Sequence, residues 1–128
     1  MLTQYNKNKV KLAIFDLDNT ILKIDSDYEM VNYLIDKSLI LEKYRKINEN
    51  YFNSYEDGSM NINNFSEFSL KPFVGMKQDD INFILDDFYY KIIKPAYNFN
   101  IIKRINEHKK SNQKILLASA TNSLIVLY

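Results

Sequence analysis

The sequence predicts an α/β fold in which two short parallel strands are separated by an all-helical insertion, and three observations predict it. The run Val10-Lys11-Leu12-Ala13-Ile14-Phe15 is short, nearly continuous in apolar residues and ends abruptly at Asp16, as expected of a parallel strand covered on both faces. Lys114-Ile115-Leu116-Leu117-Ala118 has the same character and runs at once into Ser119-Ala120-Thr121-Asn122. Residues 25–95, between them, carry apolar side chains at helical rather than alternating spacing.

Each element has its own justification. The strands are expected at about 10–16 and 114–118. Parallel neighbours need a crossover helix, and residues 100–110 supply one, with Ile101, Ile102 and Ile105 on one face. Ser26-Asp27-Tyr28-Glu29 is a capping-box pattern that opens a helix carrying Met30, Val31, Leu34 and Ile35. Leu41, Tyr44, Ile47, Tyr51 and Tyr55 mark a second amphipathic helix, which Gly58 is placed to end. A shorter helix holds Ile62, Phe65 and Phe68 before Pro72. Ile81, Ile84, Leu85, Phe88 and Ile92 form the last stripe, closed by Pro95. Residues 1–24 and 96–128 are thus expected to form the α/β part, and 25–95 a helical cap over the strand ends where such folds bind ligands.

Composition narrows the function. The 128 residues suit one compact core, 46% hydrophobic and 14% aromatic. Seventeen basic against sixteen acidic residues leave no net field to hold nucleic acid or an anionic membrane, so neither is expected as a partner. The absence of cysteine removes disulfides and thiolate metal sites, and one histidine removes His-rich zinc chemistry. The polar N-terminus and the short first apolar run give neither a signal-peptide core nor a membrane span, which makes the cytoplasm the default location.

The chemistry lies in Phe15-Asp16-Leu17-Asp18-Asn19-Thr20. Two aspartates at i and i+2 leave a strand end toward the same side, and their mutual repulsion calls for compensation. An all-oxygen pair suits Mg²⁺, which keeps waters and completes its shell from phosphate. Asp16 and Asp18 are therefore the candidate metal ligands. One carboxylate can act as nucleophile and form an aspartyl-phosphate; the other can protonate the leaving oxygen and later activate water.

Ala13-Ile14-Phe15-Asp16-Leu17-Asp18-Asn19-Thr20-Ile21-Leu22 resembles the first motif of the haloacid dehalogenase (HAD) superfamily. Asp25-Ser26-Asp27-Tyr28 and Ser119-Ala120-Thr121-Asn122 resemble its IB subfamily, the phosphoserine-phosphatase-like hydrolases, as do Gly58, the Phe65 to Phe68 patch, Leu70-Lys71-Pro72, Gly75 and Lys94-Pro95. The resemblance implies an incomplete Rossmann-like core with a helical cap, and a Mg²⁺-dependent phosphomonoester hydrolase. Asp16 would be the nucleophile and Asp18 the general acid/base, with the Asp18 carbonyl also on the metal. Ser119 would hydrogen-bond a phosphoryl oxygen, with Thr121 as the alternative; Asn122 belongs to the same phosphate-binding loop. Thr20 and the amides after Asp18 would steady loop and phosphate. The family also needs a third-motif lysine and fourth-motif acids, expected beyond residue 128, so the chain reads as a truncated product. A remnant that binds phosphate or a partner without efficient turnover is the alternative function.

Asp25 and Asp27 are candidates to touch a substrate under the cap, or else to cap a helix. Asp79-Asp80 and Asp86-Asp87 read as solvated charges, and His108 with Lys109-Lys110 as a helix end. Ten tyrosines and eight phenylalanines come without basic interleaving. A Tyr/Phe-lined cap would instead favour a small phosphorylated metabolite with some apolar body.

Overall fold

The computed structural model describes residues 12–127. Strands β1 (Leu12–Phe15) and β2 (Lys114–Leu117) pair in parallel with Leu12 opposite Lys114 and Phe15 opposite Leu117. The Ala118 N–H continues the ladder onto the Phe15 carbonyl at 2.9 Å. The expected strand start at Val10 and Lys11 lies outside the described residues. Between the strands run α1 (Ser26–Asp36), α2 (Tyr44–Glu56), α3 (Ile62–Leu70), α4 (Gln78–Phe88) and α5 (Phe99–Lys110), and α6 (Ser123–Val126) follows β2. The fold is the α/β arrangement predicted, with helices filling the interval between two parallel strands.

Local chemistry sets most boundaries. Asn61 caps α3 by accepting the Asn64 N–H at 3.1 Å. Pro72 ends α3 by drawing the chain into a 3₁₀ turn at Lys71–Phe73, and Pro95 does the same at Lys94–Ala96, after α4 has widened into a π-helical turn at Tyr89–Ile93. Gly58, at φ +78°, carries the chain out of α2 in the left-handed region.

Three expectations need correction. Ser26 does not cap α1: Asp25 does, accepting the Tyr28 N–H at 2.9 Å, one residue earlier than the capping-box pattern indicates. The α2 stripe is rotated, with Leu41, Ile47 and Tyr55 exposed and Asn48 the buried residue of that helix. Asp87 is no solvated charge. It accepts the Tyr33 hydroxyl at 2.6 Å, and Lys91 and Lys37 reach it at 2.6 and 3.1 Å, tying α4 to α1. Lys91, then Tyr33 and Lys37, hold its carboxyl well below the ordinary range.

The core does not lie on the sheet. Leu22, Met30, Tyr33, Leu34, Phe73, Ile84, Leu85, Phe88 and Ile93 form one buried cluster made almost wholly by α1, α4 and their connections. The strands, expected to be covered on both faces, leave Leu12, Ile14, Leu116 and Leu117 exposed. The helical stretch joins the strands through a narrow neck. Leu22 and Tyr97 form an antiparallel bridge, the Lys23 N–H donates to the Ala96 carbonyl, and the Asn98 N–H donates to the Ile21 carbonyl, both at 2.8 Å. No helix among the described residues is long and apolar enough to cross a membrane.

Candidate active site

β1 ends at Phe15, and the chain then winds through a tight turn at residues 17–21. Asn19 sits at φ +54°, a left-handed conformation that asparagine tolerates better than most residues. The turn presents two carboxylates differently. Asp16 is exposed, its Oδ1 accepting the N–H of Leu17 at 2.8 Å. Asp18 is directed into the protein: Oδ1 accepts the Ser26 N–H at 2.8 Å and the Ser26 hydroxyl at 2.6 Å, and Oδ2 accepts the Thr121 hydroxyl at 2.6 Å. Three donors fix this carboxylate, one of them a first-turn amide of α1, where the helix dipole favours negative charge.

The loop after β2 closes the arrangement. The Ser119 hydroxyl donates to Thr121 Oγ1 at 2.7 Å and accepts the Thr121 N–H at 3.0 Å, so it folds back on its own loop. Asn122 caps α6 by accepting the Leu124 N–H at 2.9 Å, and its own N–H donates to Asp27 Oδ2 at 3.3 Å. A chain of hydrogen bonds therefore runs from Ser119 through Thr121 to Asp18 and on to Ser26, joining two loops 103 residues apart in sequence.

These groups open on one cavity of about 340 Å³. Asp16, Asp18, Asp25, Asp27, Ser119, Thr121 and Asn122 all line it, so seven of the eight expected site residues meet there. Thr20 is half-buried in the 17–21 turn and is not among the lining residues. The rest of the wall comes from the helices, including Tyr28, Asn48, Tyr51, Phe52, Tyr55 and Phe65. Tyr28 lies 4.6 Å from Phe52, centroid to centroid, and Tyr51 packs on Phe65 and Phe68 at 5.4 and 5.2 Å.

Four carboxylates around one cavity repel. Burial, then the charges of Asp18 and Asp25, push the Asp27 carboxyl up to about 7 against the opposing N–H of Asn122. Burial likewise raises Asp25, opposed by the Tyr28 amide and reinforced by Asp18. Among the described residues no group of three His, Cys, Asp or Glu gathers closely enough to hold a metal by itself. With both Asp18 oxygens engaged by protein donors, the Asp16 carboxylate is the one presented to the cavity for a cation.

The sequence predicts a Tyr/Phe-lined cap without saying which rings face the site, and it gives no expectation for Asn48. A signal was present, since Asn48 stands four residues after Tyr44 and three before Tyr51, a polar residue on an aromatic helix face.

A histidinol-phosphatase from Neisseria meningitidis serogroup C (strain 8013) is 30% identical over 116 residues, covering 90% of this chain and 52% of that protein. The chain thus spans about half the length of the curated relative it matches. A crystal structure of a protein of unknown function from Bordetella pertussis Tohama I matches with a TM-score of 0.80 at 24% identity, over 92% of this chain and 54% of the other. That likeness shows a shared fold. The model of the haloacid dehalogenase-like hydrolases matches residues 13–126, from β1 through the inserted helices to α6, and the chain belongs to this family.

Proposed function

We propose that this protein is a Mg²⁺-dependent phosphomonoester hydrolase of the IB type, working through an aspartyl-phosphate on Asp16, with residues 25–95 as the cap over the site. The observation that carries the reading is the meeting of Asp16, Asp18 and the Ser119–Asn122 loop on one cavity. Asp16, the exposed carboxylate, attacks phosphorus and becomes phosphorylated. Asp18, held by Ser26 and Thr121, gives a proton to the leaving oxygen, then takes one from the water that cleaves the acyl phosphate. The Ser119–Asn122 loop lines the same cavity and would orient the phosphoryl group.

The donor set fits a hard cation, because the Asp16 carboxylate and the Asp18 main-chain carbonyl are both oxygen ligands. When bound there, Mg²⁺ would offset the charge of nucleophile and phosphate. The substrate is a small organic phosphate, its body against the aromatic wall. The histidinol-phosphatase relative makes histidinol phosphate the first ester to try.

Phosphate release from histidinol phosphate and from p-nitrophenyl phosphate, measured with Mg²⁺, tests the reading. The expected result is turnover that falls roughly a thousandfold or more in Asp16→Asn. Equal release by the two proteins would remove catalysis.

A further inference from the structure

A hydroxyl has one proton to give, and the partners of Thr121 show where its proton goes. Thr121 Oγ1 donates to Asp18 Oδ2 at 2.6 Å and accepts the Ser119 hydroxyl at 2.7 Å, while the Thr121 N–H donates to Ser119 Oγ at 3.0 Å. Ionised phosphoryl oxygens accept hydrogen bonds and give none. Bound to Asp18 in this way, the Thr121 hydroxyl has no proton left for a phosphoryl oxygen, the partner its place two residues past Ser119 suggests.

The Asp18 carboxylate shows what the bond does instead. Its Oδ1 receives both the N–H and the hydroxyl of Ser26, at 2.8 and 2.6 Å. Two donors fill the lone-pair directions of that oxygen. Among the described residues, Oδ2 receives Thr121 alone, and it keeps room for one more partner. A carboxylate pinned at one oxygen can pivot about that contact; a second anchor fixes its plane. The two anchors come from different parts of the molecule, since Ser26 opens α1 and Thr121 lies in the loop after β2. Asp18 and Thr121 both line the cavity, where a misplaced reacting group costs roughly a hundredfold in rate per ångström.

We propose that Thr121 is a positioning residue for Asp18. Its hydroxyl holds Oδ2 as the oxygen that passes a proton to the leaving ester oxygen, and it does not bind the phosphoryl group. The inference rests on reading the cleft as a phosphate-ester site with Asp18 as its acid. Ser119 then acts at one remove, by orienting Thr121 Oγ1.

Leaving groups separate this role from phosphate binding. Nitrophenolate departs as a stable anion with little help from an acid, whereas the more basic phenolate gains from a proton. The test measures kcat/KM of the full chain with Mg²⁺ for p-nitrophenyl phosphate and phenyl phosphate, two esters of nearly the same shape. Thr121→Val should lower kcat/KM about tenfold for phenyl phosphate and no more than about twofold for p-nitrophenyl phosphate. Thr121→Ser, which keeps the hydroxyl, should recover most of the loss, and Thr121→Val should cost nothing further in Asp18→Ala. Equal losses on the two esters, as a phosphate ligand or a purely structural residue gives, overturn the proposal. So does an unchanged phenyl ester in folded Thr121→Val. If that variant fails to fold, Thr121→Ala takes its place. If the unmodified chain cleaves neither ester, melting temperatures judge the bond between Asp18 and Thr121: losses in Asp18→Ala and Thr121→Val that simply add in the double variant overturn it, and losses that do not add uphold it. Failure to release phosphate from any ester refutes the hydrolase reading, whereas equal losses on the two aryl esters refute the Thr121 role alone.

Discussion

The helices between the two strands bury their apolar side chains, whereas the strands themselves do not. Phe88 in α4 is 1% exposed and Leu34 in α1 not at all, whereas Ile14 in β1 is 60% exposed and Leu116 in β2 is 48% exposed. The strands are the more apolar of the two in sequence, so the contrast comes from partners and not from composition. Each of α1 and α4 presents a stripe to the other, and Asp87 locks the pair through Tyr33, Lys37 and Lys91. The two-stranded sheet has α5 beside it and, among the described residues, no further strand. Stability and the candidate site are therefore separated: the helices hold themselves together, and Asp16 and Asp18 stand beside the less covered part.

Substitutions can break or sharpen this contrast. The largest effect belongs to the helical core, where Phe88→Ala should cost roughly 3–5 kcal/mol by emptying a filled site, while Ile14→Ala should cost under about 1 kcal/mol. Denaturant unfolding of the two variants measures the difference, and equal losses would show that the sheet is as well packed as the helices.

The next effect lies where the two regions meet. Asp27 faces Asn122 across that boundary, and its folded-state pKa is raised from 3.8 to about 7. The folded protein then binds more protons than the unfolded chain between those values, so its stability falls as pH rises through that window. Asp27→Asn should stabilise at pH 8 by an amount on the order of 2 kcal/mol, and the gain should shrink as pH drops toward about 4. Melting temperatures across that range decide it; a gain independent of pH would mean that charge burial is not the cause.

The smallest effect is Gly58→Ala within the helical region. A methyl there meets nothing within 4 Å, so the cost is the backbone conformation at φ +78° alone, about 1 kcal/mol. A neutral result by thermal melting would indicate that the turn relaxes into another conformation.

Much of this was legible in the sequence, because apolar periodicity and breakers are local. β1, β2, the end of α3 before Pro72 and the end at Pro95 of the helical stretch that α4 begins follow from such signals. The convergence of Asp16, Asp18 and Ser119 was legible for a different reason, since parallel pairing brings strand ends together. What depended on distant partners was not. The sequence reading takes Asp87 as solvated, yet its partners Tyr33 and Lys37 lie on α1 and just past its end. Thr121, expected on phosphate, spends its hydroxyl on Asp18, and Ser26 serves Asp18 where a cap was expected. Asn48 is inward because α2 turns by about one residue relative to its aromatic stripe, a rotation set by packing against α1.

The neck at Leu22 and Tyr97 has a corollary. Entry and exit of the inserted chain run side by side, tied by the Lys23–Ala96 and Ile21–Asn98 backbone bonds, so the register of β1 on β2 does not depend on how many residues intervene. An insert that changes in length or sequence can thereby leave the end of β1, and Asp16 just past it, where they are.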